Sequence, residues 1–285
     1  MHKAISYWSM EYGLQANHSI EQALVDAQRF GFTHLELAVS DVGVLTCDTH
    51  LAPVKRAIEA SPVVVSSLAT GMSWSQNPAS DDLDMRLASI EFHQRALIMA
   101  AELGCGALLM VPGVSRSPIS ADLVRYDIAV ERMRQMLLPL LEVAERVDVD
   151  LCLENVWNGL FYSPLELRDF IDSFDSPRLG VYLDVGNLMG IHQSPPHWIE
   201  LLGERIKRVH IKDYRESFGW SGAYNFCDLG AGEVPWQATM AALKEINYDS
   251  TLTAEMLPWD ACLLQRTSVA MDQIMALNSR QEAGQ

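Results

Sequence analysis

Residues 179–214 read LGVYLDVGNLMGIHQSPPHWIELLGERIKRVHIKDY. Two short apolar runs, LGVYL and RVHI, lie toward its two ends. Polar residues end the first at Asp184 and Asn187, and the second at Lys212 and Asp213. A helix-like segment separates them. Strand, crossover and strand is the repeating unit of a parallel sheet, and α/β barrels keep their functional side chains where such strands end. The same design recurs upstream in residues 151–158 (LCLENVWN) and downstream in residues 251–256 (TLTAEM). Side by side, these strand ends deliver Glu154, Asp184, His210 and Glu255. Three carboxylates and an imidazole make a ligand set for a divalent metal that prefers oxygen.

Outward from that stretch, the chain alternates strand and helix patterns. Strands are predicted at residues 4–8, 33–39, 63–68, 107–111 and 150–153, with the last three at 179–183, 208–211 and 251–255. Helices are predicted at 19–30, 50–60, 86–103, 121–147 (broken near Pro139), 164–174, 195–202, 235–246 and 262–278. Ser19 with Gln22, and Ser163 with Glu166 behind Pro164, have the form of helix-starting caps. Two long polar segments, 69–79 and 215–234, read as loops over the strand ends. Strict alternation of eight strands and eight helices gives an α/β fold, a (β/α)8 TIM barrel, as one domain over residues 1–285 with a frayed tail at 279–285. A doubly wound open sheet would carry a glycine-rich phosphate turn after its first strand, and residues 8–13 (WSMEYG) are not one.

The chain has 285 residues, 49% of them hydrophobic, enough for a large core. Its formal charge of −16 argues against a nucleic-acid partner, because phosphate binding draws on Lys and Arg. No apolar run approaches the roughly 18 residues of a membrane span, so no membrane partner is expected. Five cysteines without C-x-x-C spacing suggest reduced thiols in a cytoplasm rather than a disulfide framework.

Each candidate ligand has a plainer reading: a carboxylate paired with Lys or Arg, or a hydrogen-bonded core histidine. The joint placement of all four at successive strand ends favours a metal. Glu36 (in THLELAV) is either a fifth inward carboxylate or a group that supports the ligands or forms a salt bridge. Lys212 either binds a substrate oxygen or neutralises the carboxylates, and Asp213 stands beside it. Trp8, Trp74, Trp157 and Trp220 fall near strand ends or in loops, where they either stack on a sugar or simply pack.

The ordered set LENVWN (153–158), YLDVGN (182–187), RVHIKDY (208–214), DLGAGEVPW (228–236) and AEM (254–256) resembles the xylose isomerase-like barrels, in particular their sugar-phosphate isomerase and epimerase branch. That branch includes ketose 3-epimerases, L-ribulose-5-phosphate 3-epimerases and inosose dehydratases. The resemblance covers nearly the whole chain. It implies that Glu154, Asp184, His210 and Glu255 bind one divalent ion, Mn2+ foremost, with Mg2+, Co2+ or Zn2+ as alternatives. It further implies that Glu154 and Glu255 are the acid/base pair acting on a metal-stabilised enediolate of a ketose or ketose phosphate. Trp8, Glu36, Trp157, Asn187, Lys212 and Asp213 are the expected substrate-binding residues, and a homodimer or homotetramer the expected assembly.

Two positions depart from the epimerases of free sugars. Leu160 stands where a further Glu often follows the ligand of the fifth strand, and Asn187 stands where a His often follows that of the sixth. The HIKDY form is closer to the sugar-phosphate and inosose branches, and the resemblance implies that DLGAGEVPW (residues 228–236) places Gly230, Gly232 and Glu233 near the site rather than in the chemistry. A lyase or dehydratase on a keto-sugar or inosose begins with the same proton abstraction and is the first alternative. A non-catalytic sugar-binding barrel, expected to lose one of the two glutamates, is the second. DNA repair by an endonuclease IV type of site is disfavoured by Asn187 and by the acidic charge.

Overall fold

The computed structural model describes residues 1–216 and 225–277. Trp220 and the tail 279–285 lie outside the described residues. Eight parallel strands close a barrel: β1 (His2–Ser6), β2 (His34–Ala38), β3 (Val64–Thr70), β4 (Ala107–Met110), β5 (Asp150–Glu154), β6 (Leu179–Asp184), β7 (Ile206–Ile211) and β10 (Thr251–Ala254). They run around the barrel in chain order, and β10 pairs β1 to close it. The apolar runs of the sequence become strands buried on both faces, as crossover helices require; ALLM of β4 and LGVYLD of β6 are buried at every residue.

The helices packed around the barrel are α1 (Ile20–Arg29), α2 (Leu51–Glu59), α3 (Leu83–Glu102), α4 (Tyr126–Val147), α5 (Pro164–Asp172), α6 (Val185–Met189), α7 (Pro195–Leu202), α8 (Trp236–Glu245) and α9 (Leu263–Met275). Their apolar stripes face the strands and form the main core. Inside the barrel, Ala69, Ala107, Leu109, Cys152 and Tyr182 fill the interior, and half-buried Trp8 packs onto them from the end of β1. The barrel is a packed core with its opening at the C-terminal strand ends.

The structure differs from the sequence reading in details. Helix α4 begins at Tyr126 rather than 121, and Pro139 sits inside it without breaking it. β3 runs two residues into the expected loop, and a turn of 3-10 helix, Met72–Trp74, follows. The Ser19 hydroxyl does cap α1, accepting from the Gln22 N–H at 3.1 Å, but the Gln22 side chain donates to Asp26 instead of completing the box. Ser163 starts α5 without a side-chain cap bond, and Glu166 accepts from the Tyr126 hydroxyl instead. Between β7 and α8, a two-residue antiparallel ladder joins β8 (Asp213–Tyr214), just before the segment read as loop, to β9 (Phe226–Cys227) within it.

Candidate metal centre

Parallel register brings the strand-end residues to one level. Glu154 is the last residue of β5, Asp184 the last of β6, and His210 the last but one of β7; Glu255 follows β10 directly. Asp184 lies opposite His210 across β6–β7, and His210 opposite Thr253 across β7–β10. His210 is at the centre. Its Nδ1 lies 3.1 Å from Glu255 Oε2, 3.5 Å from Glu154 Oε1 and 4.0 Å from Asp184 Oδ2. One donor atom from each of the four residues falls within 4.8 Å of the others. Two ligands on opposite sides of an ion at about 2.1 Å each stand at most about 4.2 Å apart. The set therefore needs only a slight side-chain closure to coordinate.

The polar atoms point the same way. His210 Nδ1, Asp184 Oδ2 and Glu255 Oε2 are buried without a hydrogen-bond partner of good geometry. Buried polar atoms are rarely left so, and carboxylate oxygens facing an imidazole nitrogen need a cation or a proton between them. Lys212 contributes one positive charge. Its Nζ forms ion pairs with Asp184 Oδ2 at 2.8 Å and Glu255 Oε2 at 2.7 Å. These residues fit a divalent ion in ligand type, convergence and unmet charge.

The two glutamates are held differently. Burial pushes the Glu154 carboxyl up to about 7, against the opposing pull of the His210 hydrogen bond and the Lys212 charge. Burial acts on Glu255 in the same sense, but Lys212 and His210 outweigh it and bring that carboxyl down to about 2. For His210, burial favours the neutral ring, yet the surrounding carboxylates hold it well above the usual imidazole range.

A second layer fixes the strand ends. Asn155 and Asp184 clasp each other's backbone: Asn155 Nδ2 donates to the Asp184 carbonyl, and the Asp184 N–H donates to Asn155 Oδ1, both at 2.8 Å. Asp184 Oδ1 caps α6 by accepting from the Asn187 N–H at 2.9 Å, leaving Oδ2 for the site. Gly186 lies against the Lys212 stem, where a Cβ would stand 2.5 Å from the Lys212 Cβ.

Glu36, Asp213 and Asn187, all expected to bind substrate, make hydrogen bonds within the protein. Glu36 is fully buried beneath the ligands, with its oxygens taken by His210, Tyr182 and Ser67. Asp213 is fully buried and organises the loop after β7, accepting from the N–H groups of Tyr214, Gly230 and Val234 and from the Trp236 indole. The Asn187 amide is buried and donates to the Asn155 carbonyl at 3.0 Å. For Glu36 and Asp213, hydrogen bonds within the protein take both carboxylate oxygens. Gly230 and Gly232 serve the same loop: Gly230 takes φ +84°, and a Cβ on Gly232 would overlap the Asp213 carboxylate. Glu233 accepts from the Glu216 N–H at 2.5 Å rather than facing the ligands.

Lys212 does stand at the site, as the ion pairs show. Trp157 stacks on Phe226 with ring centroids 5.2 Å apart, and Tyr214 meets both edge-on. Leu160, at the departing position, is buried in the core. A cleft of about 70 Å³ beside Glu255, Lys212 and Asp213 is lined by Phe226, Cys227, Met256 and Leu257 as well. Sequence reasoning missed these four, along with Asn155, Ser67 and Tyr182. Met256 and Asn155 each directly follow a singled-out glutamate, which is the one signal that could have drawn them in.

A model of the xylose isomerase-like TIM barrel matches residues 24–273. The chain belongs to that family. It is 24% identical over 257 residues to a D-psicose 3-epimerase of Ruminiclostridium cellulolyticum, covering 88% of this chain and 81% of that one. It is 33% identical to a 3-oxo-isoapionate decarboxylase of Pectobacterium atrosepticum over 125 residues, which span 41% of this chain and 43% of the relative. Among solved structures, the D-psicose 3-epimerase with D-tagatose from Clostridium cellulolyticum H10 superposes with a TM-score of 0.81 at 19% identity, covering 97% of this chain and 99% of that one.

Proposed function

We propose that this chain is a divalent-metal-dependent isomerase or epimerase acting on a ketose or ketose phosphate. The observation that carries the reading is the convergence of Glu154, Asp184, His210 and Glu255 within 4.8 Å at the barrel mouth. The two glutamates come from β5 and the end of β10, flanking the ligands of β6 and β7 between them. The relatives named as epimerases support the same reading.

An ion held by these four residues, Mn2+ foremost and Mg2+, Co2+ or Zn2+ as alternatives, would supply Lewis acidity to the ketone oxygen. The residues supply the proton transfer. One glutamate takes the proton from the carbon beside the carbonyl, and the other returns one to the opposite face. Asp184 and His210 act as ligands. Lys212 balances carboxylate charge and stands within reach of a substrate oxygen. Trp157 and Trp8 offer ring faces beside the opening. No helix among the described residues is long and apolar enough to cross a membrane. A cytoplasmic setting accords with five free cysteines, and a homodimer or homotetramer is the assembly we expect.

The match to a decarboxylase favours one second reading, a lyase on a keto-sugar acid or inosose. Loss of carbon dioxide beside a ketone leaves the same carbanion that proton abstraction leaves, so the same ligand set serves both reactions. The test is hydrogen exchange in D2O with added Mn2+, read by NMR and mass spectrometry over ketoses, ketose phosphates, inososes and keto-sugar acids. Deuterium uptake at one carbon, abolished by EDTA and with the carbon skeleton conserved, is the expected result. Loss of water or carbon dioxide would select the lyase. No turnover of any kind with metal bound would leave a barrel that only binds its ligand and would end the enzymatic reading.

A further inference from the structure

Below the four ligands, and joined to them through His210, lies a buried polar chain whose other members the proposed chemistry does not use. Glu36 on β2 is fully buried, as are Tyr182 on β6, Ser67 on β3 and His210 on β7. Glu36 Oε1 stands 2.8 Å from His210 Nε2. Glu36 Oε2 accepts from the Tyr182 hydroxyl and from Ser67 Oγ, the latter at 3.0 Å. Thr253 Oγ1 lies 3.4 Å from the same tyrosine oxygen. A register irregularity builds this arrangement. Leu35 pairs with Val65 but Glu36 pairs with Ser67, so Ser66 is an extra residue in β3 and Ser67 is brought level with the carboxylate. Bulges re-aim side chains in this way.

Resting on the metal-centre reading above, we propose that Glu36 is a positioning residue that sets which nitrogen of His210 binds metal. The carboxylate already accepts two hydroxyl protons at Oε2, and its Oε1 can only accept. In the neutral, metal-binding ring, His210 Nε2 must therefore carry the proton and donate it to Glu36. That leaves the lone pair on Nδ1, the atom that faces Glu255, Glu154 and Asp184. Neither the tautomer nor the ring orientation is free to change without breaking the bond to Glu36. Tyr182 and Ser67 in turn stop the carboxylate from rotating. A histidine ligand whose outer N–H is tied to a carboxylate is a stronger and better-aimed donor. A purely structural role is the weaker account, because a buried carboxylate is costly in a core that apolar residues could fill.

The probe is Co2+ alone, titrated into the metal-free full chain and into Glu36→Gln and Tyr182→Phe. Folding of each is checked by thermal unfolding. Affinity and the proton NMR spectrum of the Co2+ form are then measured. Glu36→Gln keeps shape and a hydrogen-bond acceptor but removes the charge, and about 10- to 100-fold weaker Co2+ binding is expected. Tyr182→Phe removes one donor to Glu36 and should weaken binding several-fold; it carries the test if Glu36→Gln does not fold. The wild-type Co2+ form should show one far-shifted imidazole N–H, present in H2O, absent in D2O and slow to exchange because His210 is buried. That resonance should move in both variants and exchange faster, which a role confined to packing would not produce. Folded variants that bind Co2+ as wild type does, with the resonance unmoved, would overturn the assignment of Glu36 and leave the metal centre standing. A wild-type chain that binds no Co2+ would overturn both.

Discussion

Lys212→Met asks whether the ammonium of Lys212 balances the site. Its Nζ lies 2.8 Å from Asp184 Oδ2 and 2.7 Å from Glu255 Oε2, and its side chain is 14% exposed. At an effective dielectric constant of about 20, each contact is worth roughly 6 kcal/mol before desolvation. Desolvating the three ions costs several kcal/mol apiece and offsets most of that sum. Removing one partner is another matter, because the carboxylates stay buried with less to balance them, and such a loss costs about 3–5 kcal/mol. For a chain of this size that corresponds to a fall in Tm of about 5–8 °C in metal-free buffer. A divalent ion at about 1,000 times its Kd returns about 4 kcal/mol. It should raise the Tm of Lys212→Met more than that of the wild type, where the ion competes with the ammonium for the same two carboxylates. The assay is differential scanning calorimetry of both proteins with EDTA and with Mn2+. Equal metal-free stability, or equal shifts on adding Mn2+, would refute this account of Lys212.

Three other perturbations probe the site and its frame. Glu154→Gln and Glu255→Gln should each leave a folded barrel by circular dichroism and abolish turnover, since each removes a proton carrier and weakens a ligand; full activity in either would sink the acid/base assignment. Gly232→Ala pushes a methyl group into the Asp213 carboxylate that holds the loop after β7. It should cost about 1–3 kcal/mol by chemical denaturation, and an unchanged midpoint would contradict the role given to Asp213. His93 on α3 is fully buried and donates from Nδ1 to the Ser89 carbonyl, and burial lowers its ring from 6.5 to about 4. Between those values the unfolded chain binds the proton and the folded chain does not. Its contribution is thus present above pH 6.5 and lost as pH falls through 4, by about 3 kcal/mol in all. His93→Leu should flatten that part of the stability profile in denaturant titrations; parallel profiles for the two proteins would exclude the effect.

The barrel and its four convergent residues were legible because an apolar strand leaves few choices. LGVYL has no polar residue to turn to water, and Val209, His210 and Ile211 of β7 are buried as well, so both runs are interior parallel strands, and the polar residues at their C-terminal ends come to the mouth of the barrel. Local chemistry likewise announced the cap at Ser19. It failed at Ser163, whose expected partner Glu166 is drawn to Tyr126, 40 residues away along the chain.

Depth and pairing were not legible. The alternation of THLELAV says that Glu36 points inward, but not that it stops one layer below the ligands. That level is set by the register of β2 against β3 and by the extra residue at Ser66. Asp213 stands three positions past His210, and four hydrogen bonds from the segment that follows make it the anchor of a loop. The sequence by itself determined which residues end the strands, since burial of apolar runs is a local property of the chain. Only the closed barrel decided which of them meet. A pair such as Glu36 and His210 is separated by 174 positions, and no pattern along the chain encodes a hydrogen bond across the interior.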